Sequence, residues 1–465
     1  MTHFNLLVIG SGPAGAKAAE QAAQLGKTVA LIEQAPRLGG NGISTGTVPS
    51  KTLRETAAFL QSLRRRAIPG LKYQIDPELN PADLMYRRQM VLSADWGLIQ
   101  RNVDRYQIEV VRGQARFVDP HTLVVDGADG ERTLTGDVVV IASGSTPHHP
   151  DGIPFDDPRV FDAGRIGEMA RLPRRVVVLG AGVIGLELAG VFMSVGAQVT
   201  VVELGQRVLA AADDELADQL RRSMEAQGVS FWLGEPIGTV QSGPDGLRVS
   251  LRNGLGVACD TLLVAAGRRG NSAQLGLEAI GVKINEQGFI PVNGHYQTVA
   301  PGVYAAGDVI GGYSWAATSM EQGRAAVRAA FLDETPRTRV IPRCIYTLPE
   351  IASVGPTEEE LKQMGEPYLV GRASVSENPR GQITGDNFGL IKVLFTPTDK
   401  KVLAVHWLGE GGAELIHIGQ RVIDAGGTLD HLAEPPYAYP SLASLYEQVA
   451  YNGLEHWERW HEWHA

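Results

Sequence analysis

Gly10-Ser11-Gly12-Pro13-Ala14-Gly15 and Gly180-Ala181-Gly182-Val183-Ile184-Gly185 are two copies of one pattern, G-x-G-x-x-G, in a single chain. Their surroundings repeat as well. An apolar β-type run precedes each copy, Phe4 to Ile9 and Arg175 to Leu179, and a helix-like stretch follows, ending near Gly26 and at Gly196. The next strand, Thr28 to Ile32 or Gln198 to Val202, closes on an acid, Glu33 or Glu203. First glycine to acid is 23 residues in both copies, and first glycine to helix-ending glycine is 16 in both. A lone glycine pattern is weak. Two in register, each with strand before, helix after and acid at the next strand end, read as a pair of dinucleotide-binding βαβ units.

The spacing has a physical cause. The first glycine permits the tight strand-to-helix turn, the second lets a pyrophosphate approach the backbone, and the third lets helix and strand pack closely. Free N–H groups and a partial positive charge at the helix N-terminus meet the phosphates. The acid accepts hydrogen bonds from a ribose hydroxyl. Each unit is followed about a hundred residues on by an apolar strand ending in small residues: Val138 to Ile141 with Ala142-Ser143-Gly144, and Leu262 to Val264 with Ala265-Ala266-Gly267. Such a strand returns to the parallel sheet. A third element, Val303-Tyr304-Ala305-Ala306-Gly307-Asp308, ends a strand on an acid.

The expected fold is therefore α/β, with two Rossmann-like units plus a C-terminal α+β domain. Boundaries are expected in the Pro/Asp-rich stretch Pro147 to Pro158, near Asn271, and near Pro336 to Pro342. They divide the chain into 1–150, 151–270, 271–340 (returning to the first unit) and 341–465, in keeping with a length of 465 residues. The nearly all-apolar segment Val176 to Ala197 imitates a membrane span, but Glu187 at its middle and five glycines favour strand, turn and helix. Met1 to Asn5 lacks a basic region, so neither a secretory leader nor a membrane span is expected.

A net charge of −10, from 42 Lys plus Arg against 52 Asp plus Glu, argues against a nucleic-acid partner. Arg64-Arg65-Arg66 and Arg87-Arg88 read as solvated faces. The two cysteines, Cys259 and Cys344, have no metal spacing and form no disulfide framework, which points to a reducing, cytoplasmic compartment. Trp457, Trp460 and Trp463 recur every three residues in the tail and are expected to pack. His461 and His464 beside them are not expected to hold a metal. His417, in an apolar helical stretch, reads as a satisfied core or interface histidine.

These residues resemble the two-dinucleotide flavoprotein family, the class I pyridine nucleotide-disulfide oxidoreductases, over essentially the whole chain to about Glu455. The resemblance rests on Gly10 to Gly15 with Glu33, Gly39-Gly40, Pro49-Ser50-Lys51, Gly180 to Gly185 with Glu187, and Tyr304 to Asp308. It implies FAD on Gly10, Gly12, Pro13, Ala14, Gly15, Glu33, Gly40, Gly46, Thr47, Lys51, Ala115, Ser143, Gly144, Asp308 and Ala316. It implies NAD(H), with NADP(H) as a further candidate, on Gly180, Gly182, Val183, Ile184, Gly185, Glu203 and Gly267. Lys51 and Glu187 look like the family's flavin-side ion pair, and a C2 homodimer would place Tyr439 at the partner's flavin.

Two losses sharpen the reading. Disulfide reductases of this family carry a C-x-x-x-x-C pair where this chain has Gly42 and Thr47. Thiol–disulfide exchange needs a thiolate to attack sulfur, and Gly and Thr supply none. The family's acid–base His-Pro reads Tyr439-Pro440, and the Glu that orients that His reads Ser444. The soluble transhydrogenase branch, which shares the Thr and the Tyr-Pro, is most similar, although it keeps a cysteine at the position of Gly42 and a glutamate at that of Ser444. Glu203 is the NAD-type acid, and Arg207 is the candidate to offset it for a 2′-phosphate. The expected function is hydride transfer from NAD(P)H through FAD to NAD(P)+, with Lys51, Glu187 and Tyr439 as the catalytic candidates. The alternative is an NADH:quinone or dye oxidoreductase, and a third reading is a non-catalytic flavin redox sensor.

Overall fold

The computed structural model describes residues 2–65, 80–169, 171–312, 314–336 and 340–464. Arg66, and 337–339 within the expected boundary at Pro336 to Pro342, lie outside the described residues.

Both glycine patterns sit where period and spacing put them. Strand Thr2–Ile9 runs through the turn into helix Pro13–Gln24 and strand Val29–Glu33. Strand Arg175–Leu179 leads to helix Val183–Ser194 and strand Gln198–Glu203. The apolar stretch that imitates a membrane span is thus a buried strand, turn and helix, and no helix among the described residues is long and apolar enough to cross a membrane.

The first sheet has seven strands. Thr2–Ile9 lies at its centre, parallel to Val29–Glu33 on one side and to the end of Gly130–Ile141 on the other, with Ile9 level with Ile32 and Ile141. Val303–Ala305 returns from far along the chain to add a parallel strand beside Val139 to Ile141. The second sheet is parallel throughout, in the order Ser230–Leu233, Gln198–Glu203, Arg175–Leu179, Thr261–Val264, Val160–Asp162. Its central strands are continuous apolar runs because both faces are covered, one by helices Val183–Ser194 and Asp214–Ala226 and the other by the antiparallel strands Ile237–Gly243, Gly246–Leu251 and Gly256–Cys259.

The C-terminal part is a five-stranded antiparallel sheet spanning Arg343–Ile345 to Val402–Leu408, packed against helices Gly412–Asp424 and Leu445–His464. Mixed α/β architecture with a C-terminal α+β part is the fold class expected from the sequence.

Three surface expectations need correction. Arg88 is half-buried rather than solvated, and its Nη2 donates to the Ser44 carbonyl at 3.3 Å. In the tail, Trp457 packs inward and donates to the Pro397 carbonyl at 2.8 Å, but Trp463 is 87% exposed. A three-residue repeat lags the 3.6-residue helical turn, so each tryptophan rotates further from the core. His417 is exposed in the single chain and bonded to Gln420 within its own helix, which corrects the core half of its expectation and leaves the interface half an expectation.

Candidate active site: two dinucleotide clefts meeting at a buried ion pair

Each glycine turn is closed by backbone against backbone. A Cβ on Gly10 would lie 2.4 Å from the Ala142 carbonyl oxygen, and one on Gly180 would lie 2.4 Å from that of Ala265. A Cβ on Gly15 or Gly185 would meet the carbonyl oxygen of Gly10 or Gly180 at 1.8 or 2.0 Å. At Gly12 and Gly182 the corresponding space is open. Those two residues are the N-caps of the two helices, and neither helix has a side-chain cap. The first-turn N–H groups therefore face open space, as pyrophosphate binding requires.

The two acids behave alike. Glu33 accepts from Ser11 N at 3.0 Å and from Ala35 N at 2.8 Å, while Glu203 accepts from Ala181 N at 2.7 Å and from Gly205 N at 2.8 Å. Each carboxylate is thereby held at the mouth of its glycine turn. Arg207, the candidate for a 2′-phosphate, is paired with Asp214 and reaches the Ala212 carbonyl.

Around the first cleft, Ser143 and Gly144 follow strand Gly130–Ile141, and the Ser143 hydroxyl oxygen is buried without a partner among the described residues. Asp308 accepts from Ser145 Oγ at 2.9 Å, and Ser145 in turn accepts from Arg268 Nε at 2.7 Å. Asn41 Nδ2 donates to the Ser145 carbonyl at 2.7 Å. The open space at Gly12, the orphaned Ser143 hydroxyl and this polar cluster fit a dinucleotide crossing the edge of the first sheet. Ala115 is buried within strand Gln114–Asp119, so only its backbone is available to a ligand. Ala316 opens helix Ala316–Leu332, another helix start without a side-chain cap, and Gly267 lies three residues past the return strand Thr261–Val264 of the second unit. Ser145, Arg268 and Asn41 carry no motif that marks them in the sequence.

Between the clefts lies a charge pair. Gly46 precedes helix Thr47–Arg65, which carries Lys51, and helix Val183–Ser194 carries Glu187. Lys51 Nζ donates to Glu187 Oε2 at 2.7 Å and Oε1 at 2.9 Å. Glu187 Oε1 also accepts from Tyr346 N at 2.9 Å, and Lys51 Nζ lies 5.0 Å from the centre of the Tyr346 ring. A buried carboxylate is tolerated only with its lone pairs occupied, and here three hydrogen bonds from two donor groups occupy them.

Arg54 lies one turn beyond Lys51 and is 2% exposed; it bridges Glu350 at 2.9 Å and Glu410 at 3.1 Å. Burial pushes the Glu350 carboxyl up, partly offset by the Arg54 guanidinium. This second pair fixes the Lys51 helix to the loop that presents Tyr346. Neither Arg54 nor Tyr346 has a role that the sequence reveals, because each meets its partner only across domains.

The two cysteines lie apart from this pair chemically. Burial pushes the Cys259 thiol up to about 11 and the Cys344 thiol to about 12, so both stay protonated. A Cβ on Gly42 would meet Pro13 Cγ at 2.9 Å, so a side chain there has little room. Tyr439 is 78% exposed in the single chain. Ser444 accepts from Asn378 Nδ2 at 3.0 Å and donates to the Ser441 carbonyl at 2.8 Å, so its hydroxyl is engaged away from Tyr439.

Two dinucleotide clefts joined across one buried ion pair define a redox enzyme that brings two nucleotides together. The pyridine nucleotide-disulphide oxidoreductase model matches residues 4–330, and the dimerisation-domain model of the same name matches residues 341–450. The chain belongs to this family of FAD- and NAD(P)H-dependent oxidoreductases. It is 40% identical to the soluble pyridine nucleotide transhydrogenase of Mycobacterium tuberculosis (strain ATCC 25177 / H37Ra), over 97% of each chain. It is 38% identical to that of Shigella flexneri, over 97% of this chain and 98% of the other. Among solved structures it is similar to the Cu(II) complex of the HOCl-induced flavoprotein disulfide reductase RclA from Escherichia coli. That match has a TM-score of 0.86 and 28% identity, over 97% of this chain and 100% of that one. LpdA from Mycobacterium tuberculosis superposes with a TM-score of 0.88 and 25% identity, over 97% and 99%.

Proposed function

We propose that the protein is a transhydrogenase, exchanging a hydride between NADH or NADPH and the other oxidised nucleotide in turn at one cleft. FAD, when bound, supplies a two-electron hydride acceptor that lets the two half-reactions occur separately. The observation that carries the reading is the Lys51–Glu187 pair, buried between the clefts of a chain with Gly42 and Thr47 where a thiol relay would stand. Glu187, itself fixed by the Tyr346 amide, holds the Lys51 ammonium at the junction, where it would stabilise negative charge on a bound ring system. At about 4 Å and an effective dielectric near 20 that is worth up to about 4 kcal/mol. Glu203 holds the ribose, and the first-turn amides of helix Val183–Ser194 hold the pyrophosphate. The identity to soluble transhydrogenases supports the same reading.

A second reading, an NADH:quinone or dye oxidoreductase, is favoured by one observation. Glu203 faces the ribose position while Arg207 is engaged by Asp214, an arrangement that suits NADH over NADPH. A steady-state matrix separates the two. NADPH-dependent reduction of an NAD+ analogue is expected to exceed NADH-dependent reduction of a benzoquinone, and the reverse ranking would overturn the transhydrogenase assignment. The protein would act as a homodimer, in which the exposed Tyr439 faces the partner's site, and in the cytoplasm.

A further inference from the structure

Helix Asp214–Ala226 of the second unit begins against the C-terminal sheet, and a lysine is buried at the contact. Lys392, on strand Leu390–Phe395, is 1% exposed, and Asp213, the N-cap of the helix, is fully buried. Lys392 Nζ donates to Asp213 Oδ1 at 2.9 Å and to Oδ2 at 3.0 Å, and it lies 3.1 Å from Glu215 Oε2. It also pairs with Glu358, and Arg372 Nε donates to Glu215 Oε1 at 2.9 Å. The second unit thus brings Asp213 and Glu215 to the contact, and the C-terminal part brings Lys392 and Arg372.

The segment just before Asp213 is strained. Leu209 is 3% exposed with φ 46°, a left-handed conformation that a leucine keeps only where its surroundings impose it. In that conformation its N–H donates to the Ala181 carbonyl of the second glycine turn at 3.0 Å. Residues 209–212 then line a cavity of about 250 Å³ together with Gly182 and Val183 of the turn. Leu209 and Leu216 share an apolar cluster with Ile351, Leu390 and Leu408 of the C-terminal part, but apolar contact is non-directional and sets no register. A buried ion pair adds little net stability yet demands one geometry.

We propose that Lys392 is a positioning residue of the second dinucleotide cleft. By holding Asp213 from the C-terminal sheet, it fixes the end of segment 209–212 and keeps Leu209 in its strained conformation on the glycine turn. The proposal rests on the assignment of that turn to the nicotinamide nucleotide. It gives the C-terminal part a role in nucleotide affinity that dimerisation alone would not.

Lys392→Met alone would strand Asp213 in the core, so the test combines it with Asp213→Asn. The double variant removes both charges of the pair and keeps a helix-capping side chain at position 213. Its urea midpoint and FAD content are expected to stay close to those of the wild type. In FAD-loaded protein without nicotinamide nucleotide, amide exchange over residues 209–212, read by mass spectrometry, is expected to speed up about tenfold. Calorimetric NAD+ affinity is expected to fall about tenfold, because only a fraction of the molecules then hold the binding conformation. Unchanged exchange or unchanged NAD+ affinity would overturn the proposal. So would a fall in the urea midpoint or in FAD content, which would make the pair a general structural support. The exchange readout needs no nucleotide, so it judges Lys392 even where the assignment of the turn fails, and the steady-state matrix judges transhydrogenation separately.

Discussion

The two Rossmann units share a turn, a helix length and an acid, yet the residue seven positions after the first glycine is Lys17 in one and Glu187 in the other. Lys17 pairs locally with Glu20, one turn along its own helix. Glu187 pairs with Lys51 from the other unit and with the Tyr346 amide from the C-terminal part. Their surroundings explain the contrast. Helix Pro13–Gln24 fully buries one stripe, Ala14, Gly15, Ala18, Ala19 and Ala22, and leaves the rest half-buried except the exposed Gln24. Helix Val183–Ser194 is buried continuously from Gly185 to Ser194. A charge on the first helix is answered by a partly buried neighbour on the same helix and touches no other unit. On the second it lies in a low-dielectric junction, where only a matched partner makes it tolerable and where its field reaches a bound ligand. On the proposed function, the same motif would serve as an anchor in one place and as part of the reactive junction in the other.

The comparison can be broken most severely at the turns. Gly15→Ala places a Cβ against the Gly10 carbonyl and is expected to yield protein that retains no FAD, read from the flavin absorbance of the purified protein. Gly185→Ala should keep the flavin but bind NADH at least about 100-fold more weakly. Flavin loss from both variants would mean that the units are not separate anchors.

Next in size is the ion pair. Lys51→Ala should slow stopped-flow flavin reduction by NADH about 100-fold, since it removes a junction charge worth up to about 4 kcal/mol and strands Glu187. Lys17→Ala should leave the rate unchanged. Equal behaviour of the two lysines would erase the distinction between the helices.

A third test uses the docking of the second unit on the C-terminal sheet. Asp213 meets Lys392 there at 2.9 Å, both fully buried, and the neighbouring His406 is held down to about 4 by burial. Between about pH 4 and 6.5 the unfolded chain binds a proton that the folded chain refuses. His406 therefore costs the fold nothing above pH 6.5, and its penalty grows to about 3 kcal/mol as the pH falls towards 4. His406→Asn should flatten that part of the stability profile, measured by urea unfolding at each pH. An unchanged slope would assign it to other groups.

Smaller still, Glu203→Gln should weaken NADH binding about tenfold while FAD content stays constant, because one charge-assisted ribose contact is lost. Last is an expected null effect. With Cys259 and Cys344 near 11 and 12, iodoacetamide at pH 8 should leave NADPH-dependent reduction of an NAD+ analogue intact. Inactivation that tracks alkylation would reinstate a thiol in the electron path.

Much of the fold is legible in the amino-acid sequence alone. Strand, turn, helix and acid around Gly10 and Gly180 are local: each is set by φ/ψ freedom, chain reach and apolar periodicity within some 25 residues. The missing thiols are legible too, because a residue that is absent at a motif position needs no contact to be noticed. The tail is less legible, since a repeat of three only imitates an amphipathic face. Arg88 is not legible at all, because its partner is the backbone of a remote short helix, Gly40–Ser44.

What the chain determined by itself was the pair of nucleotide turns, their acids and the loss of the cysteine relay. The tertiary structure decided that Lys51 and Glu187, 136 residues apart, share two hydrogen bonds, that Tyr346 supplies a third, and that Arg54 anchors the helix beneath them. The physical reason is range. Turn geometry is imposed by neighbouring residues, whereas the energy of a buried charge or an unmade donor depends on what the rest of the fold brings within about 3 Å.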